Sequence, residues 1–542
     1  MKKQFPKPTG EYAVGTFTYT IYNDRKEILP AGGMRNIAAR VYYPVNKENV
    51  VGLPKSEALS PIMIQGFKAC FHVAPDFTNN PEANLSECYK DAPRISGKKF
   101  PLIMFNHGYN SFREGNSLLC IELVSHGYVI ISVAHSYEAL CTEFDDGTFN
   151  LSDKKNSKLY EPMFAGLIAM FKLVKMKGSD EELARKFDEN QKKYCHYMMS
   201  RLPEWIKDNE AALDYAKNNL SDLIDFSKGV GATGHSFGGN TAYALCARNQ
   251  DFVCGINIDG ALFGDYTNDI QTKPFMHISC KSNEKAAARA FLRHAKPVYK
   301  VLFKDMQHIG FSDSKYTMAG NPAVGKLDAD VMHKNLCKCH LEFFDTFLKK
   351  QKSEPEISDN EAVKISVYEP DMNMPKHVVV QLYDETWVQN FTEIKNEIQA
   401  ALGNTALSIE HVGSTSVKGL AAKPIIDIDV VVKNDDVQEA IKLLAGIGYI
   451  HEGNLGIEGR EAFYYEEKEH LKPHHLYVCP QDSPELKRHI AFRDYLRSHP
   501  EKVVEYSQIK LEAAKLYPYN IDKYIQHKSP VIEKIYKEIG LS

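Results

Sequence analysis

Between residues 100 and 350, six short apolar runs alternate with longer amphipathic ones, and no other feature of the chain constrains its fold as much. PLIMFN (101–106), YVIISV (128–133), GVGATGH (229–235), FVCGINI (252–258), PFMHIS (274–279) and VYKVLF (298–303) have strand length, and most are rich in β-branched or aromatic residues. Runs this apolar leave no face for water, so the pattern predicts an α/β fold: a mostly parallel sheet with helices on both sides. A polar-apolar helical insert, 163–220, separates the second run from the third and is expected to cap part of any site at the strand ends.

A chain of 542 residues is too long for one core, and QKSEPEISDNEAVK, polar and without apolar periodicity, reads as a boundary. The expected organisation is a first domain over 1–352, a linker over 353–368 and a smaller α+β domain over 369–542. In the last, a helix (387–402), two strands (425–432 and 475–478) and a helical end (484–541) are expected. The net charge of −4 offers no electrostatic case for nucleic acid. The N-terminal MKKQFPKPTG lacks the apolar run of a signal peptide, and no stretch has the length of a membrane span. Eleven cysteines without a Cys-x-x-Cys pair suit reduced thiols and a cytoplasmic location. Cys337, Cys339 and His340 fall on a helical pattern and are read as packing groups rather than metal ligands.

GHSFGG (234–239) follows a strand pattern and precedes a helical one, NTAYALCARN. Gly-x-Ser-x-Gly in that context is a nucleophile elbow, a sharp strand-to-helix turn that presents Ser236 at the carboxyl edge of an α/β-hydrolase sheet. A hydroxyl needs an imidazole to accept its proton and a carboxylate to orient that imidazole. His308 lies in a loop after the last strand and is the expected base, whereas His277 sits within a strand and His294 on a helical pattern. For the acid, position alone leaves both Asp259 and Glu284 open, since each follows a strand end; Asp305 is too near His308 in the chain to reach back to its ring. The oxyanion donors are expected to be the backbone N–H groups of Phe237 and Tyr109.

The succession PLIMFNHGYNSFREGNSLLCIELVSHGYVIISVAHS, GHSFGG, GINIDGALFG and QHIGFSD resembles the platelet-activating-factor acetylhydrolase family of serine-dependent, calcium-independent esterases, from about Pro8 to the end of the first domain. The resemblance implies Asp259 as the acid, in an Ile-x-x-Asp context 23 positions after the serine, and supports His308. It puts Tyr109 where the family usually has a smaller apolar side chain. It further implies an acyl-enzyme mechanism without a cofactor on the short or oxidised acyl ester of a phospholipid. Family members contact lipid interfaces through exposed apolar helices; here the run 166–178 is read as packing on the core.

In HVGSTSVKGLAAKPIIDIDVVV (411–432), Asp427 and Asp429 stand two apart on an apolar strand and point the same way, the geometry for holding a divalent metal. The turn at Gly413 and Ser414 offers backbone N–H groups to phosphate oxygens. With KPHHLYV and AFRDYLR, this run resembles the GrpB-like family of the nucleotidyltransferase superfamily, from about Val378 onward. The resemblance implies Mg²⁺ on Asp427 and Asp429, with His475 in place of a third carboxylate, and nucleotide or phosphate at Gly413, Ser414, Lys423 and Arg460. Arg493 and Lys510 are further candidate cations. The expected protein is an esterase joined to this module; the alternative makes the module the main function and the hydrolase an accessory.

Overall fold

The apolar runs form adjacent parallel strands in a computed structural model that describes residues 5–541 apart from 23, 28–32, 73, 74, 76, 79, 153–171, 267, 268, 371–377, 467, 469, 518 and 519. The chain divides into two units, Met1–Met374 and Pro375–Ser542.

In the first unit, β1 (Ala13–Ile21), β2 (Ile37–Val45), β3 (Lys55–Glu57) and β4 (Leu85–Lys90) precede β5 (Leu102–Asn106) and β6 (Val129–Ala134). A separate hairpin, β7 (Cys141–Glu143) and β8 (Phe149–Leu151), follows. Then come β9 (Val230–His235), β10 (Phe252–Ile258), β11 (Phe275–Cys280), β12 (Val298–Phe303) and β13 (Val363–Tyr368). Apart from the hairpin these make one sheet of eleven strands in the order β13-β12-β11-β10-β9-β5-β6-β2-β1-β4-β3. The six from β12 to β6 are parallel to their neighbours within that group, and apolar clusters cover both faces, as continuous apolar strands require.

From β5 the chain winds outward to β6, returns to β9 on the other side and then winds the opposite way. In open parallel sheets the crevice at the carboxyl ends of the strands beside such a reversal is where sites form. The serine turn at the end of β9 and the glycine loop at the end of β5 meet there because β5 and β9 are hydrogen-bonded neighbours.

Two expectations need correction. Residues 363–368, assigned to the linker, form β13, antiparallel to β12 in the register Val298↔Tyr368 to Phe303↔Val363. The alternation in VKISVY was hidden in a polar context, but it buries Val363, stacks Tyr368 on Phe291 and extends the first unit past residue 352. The helical insert is only in part a cap: 163–171 lie outside the described residues, and His196–Asn219 is a core helix that buries Trp205, Asp208 and Asn209. Its N-terminal Tyr197 alone reaches the crevice, through Tyr109. The strands β1 to β4 had no counterpart in the sequence reading.

The second unit has β14 (Ser408–Val412), β15 (Ile426–Val432), β16 (Ile450–Gly453), β17 (Glu461–Tyr464) and β18 (His474–Pro480) in the order β14-β15-β18-β17-β16, with only β15 and β18 parallel. Helices Thr386–Leu402 and Val437–Ala445 pack with the sheet in one apolar cluster. Pro484–Ser498, Pro500–Leu516 and Ile521–Glu538 supply much of a second one. Among the described residues of the chain no helix is long and apolar enough to cross a membrane, and all eleven cysteines are free thiols. His340 is buried between the Thr233 hydroxyl and the Leu336 carbonyl, which occupies both ring nitrogens.

Candidate functional sites

Ser236 joins β9 to the helix Phe237–Arg248 with φ 58° and ψ −122°, a conformation that a non-glycine residue holds only where its surroundings enforce it. The glycines around it make the turn possible: an added Cβ at Gly238 would lie 2.1 Å from the Asn106 carbonyl oxygen, and one at Gly234 would lie 2.5 Å from the same atom. The end of β5 is thus pressed against the elbow. An added Cβ at Gly108 would lie 3.1 Å from Ser236 Cβ, so the loop carrying Tyr109 runs directly over the serine. Phe237 opens the helix, where its N–H has no intrahelical acceptor.

His308 stands in a short helical turn after β12, and its Nε2 is 2.9 Å from Ser236 Oγ. Its Nδ1 is 2.7 Å from Asp259 Oδ2. With the proton on Nδ1 donated to the carboxylate, Nε2 is left to accept the serine O–H. Asp259 is fully buried at the end of β10, whereas the His308 side chain is 39% exposed, so the carboxylate is shielded and the imidazole reachable. Position had left the acid open; the structure brings Asp259 to His308 and sends Glu284 to Lys281 and Lys300 instead.

Two further residues hold the acid in place. The Cys280 N–H donates to Asp259 Oδ1 at 2.8 Å and the Asn283 amide donates to Oδ2 at 2.9 Å. Cys280 ends β11 and Asn283 follows it, at the strand end that had suggested Glu284; a polar cluster there was the available signal, but it could not say which side chain faced the site.

Beneath the Gly108–Tyr109 loop lies a polar network that sequence reasoning missed entirely. His107 Nδ1 is 2.7 Å from the Gly108 carbonyl, and its Nε2 accepts the His135 N–H at 3.1 Å. His135 bridges Asp208 (2.8 Å) and Asn106 (2.9 Å) and stacks on Trp205. Arg35 and Arg25 pair with Asp208, and Arg35 and Arg201 with Glu27 and Glu138. Burial pushes His107 down to about 3 and His135 to about 4, so both are neutral and serve as fixed donors and acceptors. Against the penalty of burial, Arg35 and His135 hold the Asp208 carboxyl well below the usual carboxylate range. Tyr109 and Tyr197 meet edge to face with their hydroxyls 3.3 Å apart.

In the second unit, β15 presents Asp427 and Asp429, but each carboxylate is taken by a separate histidine. Asp427 Oδ1 is 2.8 Å from His475 Nδ1, its neighbour across β18, and Asp429 Oδ2 is 2.8 Å from His489 Nδ1. His489 also faces Glu485 at 3.2 Å. Among the described residues no group of three or more His, Cys, Asp or Glu side chains is arranged to hold a metal ion. Of the expected set, Asp427 and His475 thus meet, while Asp429 turns to His489.

Gly413 (φ 67°) leads into the turn Ser414–Ser416, and a Cβ on it would strike Asp427 Oδ2 at 2.1 Å, so glycine is required there. Arg460 lies 4.3 Å over the Tyr477 ring, on the Asp429 side. Its Nε and Asp429 Oδ1 are both buried without a hydrogen-bond partner among the described residues. Burial raises the Asp429 carboxyl. Arg493 is tied to Glu410 and Asp494 and is not available as a free cation. Lys423 is half-buried on the loop before β15, and Lys510 is buried on Pro500–Leu516.

Comparison with known proteins assigns the two units separately. Residues 1–288 match the model for "Platelet-activating factor acetylhydrolase, isoform II", and residues 377–538 match that for "GrpB protein". The chain is 27% identical over 284 residues to platelet-activating factor acetylhydrolase of Cavia porcellus, which covers 48% of this chain and 61% of that protein. It is 33% identical over 166 residues to glutamate-rich protein GrpB of Alkalihalophilus pseudofirmus, covering 30% of this chain and 95% of that one. Over 159 residues it is 36% identical to UPF0157 protein YqkA of Bacillus subtilis, covering 29% of this chain but spanning only 46% of that relative's length. A ferulic acid esterase from Streptomyces cinnamoneus shares the fold of the first unit, with a TM-score of 0.50 at 18% identity over 68% of this chain and all of that one. The chain belongs to the platelet-activating factor acetylhydrolase isoform II family through its α/β-hydrolase unit and to the GrpB family through its C-terminal unit.

Proposed function

We propose that the first unit is a carboxylic ester hydrolase with Ser236 as nucleophile, His308 as general base and acid, and Asp259 as the group that orients and stabilises the imidazole. The observation that carries this reading is the continuous chain Ser236 Oγ, His308, Asp259, with separations of 2.9 and 2.7 Å. Ser236 Oγ attacks the acyl carbonyl as its proton passes to His308 Nε2, and the oxyanion accepts N–H donation from Phe237 and Tyr109. Collapse breaks the ester C–O bond and His308 returns the proton to the leaving alkoxide, giving an alcohol and an acyl-Ser236. Water then attacks with His308 as base, releasing the acid and restoring the serine. No cofactor takes part.

The proposed substrate is a short acyl ester, a phospholipid in keeping with the relatives' name. Support comes from Tyr109 and Tyr197, whose paired rings limit the room beside the serine. Turnover of p-nitrophenyl esters from acetate to laurate tests this: kcat/KM is expected to fall with chain length, and a preference for laurate would overturn the short-acyl assignment. A fluorophosphonate probe should label the native chain and leave Ser236→Ala unlabelled; labelling of both would overturn the nucleophile.

For the second unit we propose binding of a nucleotide or phosphate beside the Gly413–Ser414 turn. The buried, unpartnered Arg460 Nε favours it, since such a donor is ordinarily satisfied by an acceptor. Titration of ATP into the full chain, in Mg²⁺ and separately in EDTA, is the test, with no binding in either as the negative result.

A further inference from the structure

Lys423, Lys510 and Lys528 of the second unit form no ion pair among the described residues. Lys510 lies on Pro500–Leu516 with only 2% of its surface exposed, its ammonium 5.0 Å over the Tyr506 ring. Lys528 lies on Ile521–Glu538, which packs along that helix, and its ammonium sits 5.3 Å over the Tyr524 ring. Lys423 is on the loop before β15, and the same loop is pinned to the Lys510 helix by the Ala421 N–H, which donates to Ser507 Oγ at 3.0 Å. Burial lowers both Lys510 and Lys528; Lys528 and Lys423 lower Lys510 further and Lys423 lowers Lys528, while Asp427 opposes the shift on both. Asp427 is already bonded to His475, and none of the three ammonium groups forms an ion pair among the described residues.

A buried ammonium is ordinarily paired, because desolvation without a counter-charge is strongly unfavourable. Convergence of two more cations on it increases that penalty, and packing does not explain it: a helix with a free choice would have turned one lysine outward. A polyanion would satisfy all three at once. The Gly413–Ser414 turn borders the same space, since Gly413 lies against Asp427.

We infer that Lys423, Lys510 and Lys528 form an anion site that takes the phosphoryl groups of a small phosphate compound, with the buried Lys510 as its central cation. This rests on the reading that the second unit binds nucleotide or phosphate, and it adds which side chains hold the charge, two of them on the C-terminal helices rather than on the sheet.

The test is calorimetric titration of the full-length protein in EDTA with inorganic phosphate, pyrophosphate and ATP. Native protein should bind pyrophosphate, with affinity that falls as salt rises. Lys510→Met should weaken it about 10- to 100-fold, as expected for loss of a charged hydrogen-bond donor, and Lys510→Arg should retain most of it. Lys423→Met and Lys528→Met should each weaken it by a smaller factor, and they decide the matter if Lys510→Met fails to fold by circular dichroism. Tighter binding of ATP than of pyrophosphate would support the site and assign it to a nucleotide's phosphate chain; equal binding would support it and assign it to free phosphate. Unchanged pyrophosphate binding in the lysine variants would overturn the inference. Binding of ATP alone, equally by native protein and all variants, would overturn it while leaving the nucleotide reading in place, and binding of none of the three would remove both.

Discussion

The two candidate sites differ in what they leave unpaired. In the hydrolase unit the serine, histidine and aspartate bond to one another, and Cys280 and Asn283 supply the carboxylate's other partners. In the GrpB unit one carboxylate oxygen, on Asp429, and one guanidinium nitrogen, on Arg460, are buried without a hydrogen-bond partner among the described residues, and Lys510 and Lys528 meet aromatic rings rather than carboxylates. A self-satisfied triad is preorganised and needs from its substrate only a carbonyl in the right place. A cluster of like charges is incomplete by itself and becomes low in energy only when something of opposite charge fills it.

Removal of the nucleophile should separate the units most sharply: Ser236→Ala is expected to lower kcat for p-nitrophenyl acetate by about 10⁶-fold, without altering pyrophosphate binding. Asp259→Asn comes next. Its carbonyl oxygen can still accept the Cys280 N–H, but its amide presents a donor to His308 Nδ1 and forces the wrong tautomer, for a loss of about 10⁴-fold in kcat. A loss under tenfold would mean that the triad is not as self-sufficient as its geometry.

Acid should unfold the hydrolase unit first. His107, His235 and His277 are pushed down to about 3, and His135 and His340 to about 4, all by burial. Their unfolded forms take a proton below about pH 6.5 that the native forms refuse, so their stabilisation is complete above that pH and is lost as pH falls toward 4 and 3. At pH 5.5 the loss is about 1.4 kcal/mol per histidine. Among the described residues of the GrpB unit, His411 and His474 alone are lowered in this way, each to about 4, and His489 is raised, which opposes the trend. Scanning calorimetry between pH 7 and 5.5 should therefore move the hydrolase transition down further than the other; equal shifts would contradict the assigned neutral histidines.

Tyr197→Ala opens the space beside Tyr109 and should raise kcat/KM for hexanoate relative to acetate esters by about tenfold, within the range that one or two methylenes decide. The smallest effect concerns the lysines: Lys510→Met removes an unpaired buried charge and should stabilise the unliganded chain by about 1 kcal/mol, read as a rise in the Tm of the GrpB unit.

How far the sequence carried these conclusions depended on the range of each interaction. Strands β5, β6 and β9 to β12 were legible because a fully buried strand must be apolar throughout, and the elbow because its glycines are imposed by atoms 2.1 to 2.5 Å away. Strand β13 was not, since an edge strand needs only alternate apolar residues and its six were set among acids. The network of Arg35, His135, Arg201 and Asp208 gave no signal, because each residue is an ordinary polar residue until three distant segments bury it together. Lys510 looked like any surface cation on an amphipathic helix.

The order of apolar runs, the elbow and the histidine loop are local patterns, and by themselves they determined the α/β architecture and Ser236 and His308 as candidates. Which carboxylate faces His308, how the Asp427 and Asp429 pair is divided between two histidines, and the meeting of three lysines were decided only by tertiary packing. Side-chain direction at a strand end and the approach of distant helices depend on how sheet and helices twist and dock, and no spacing along the chain encodes them.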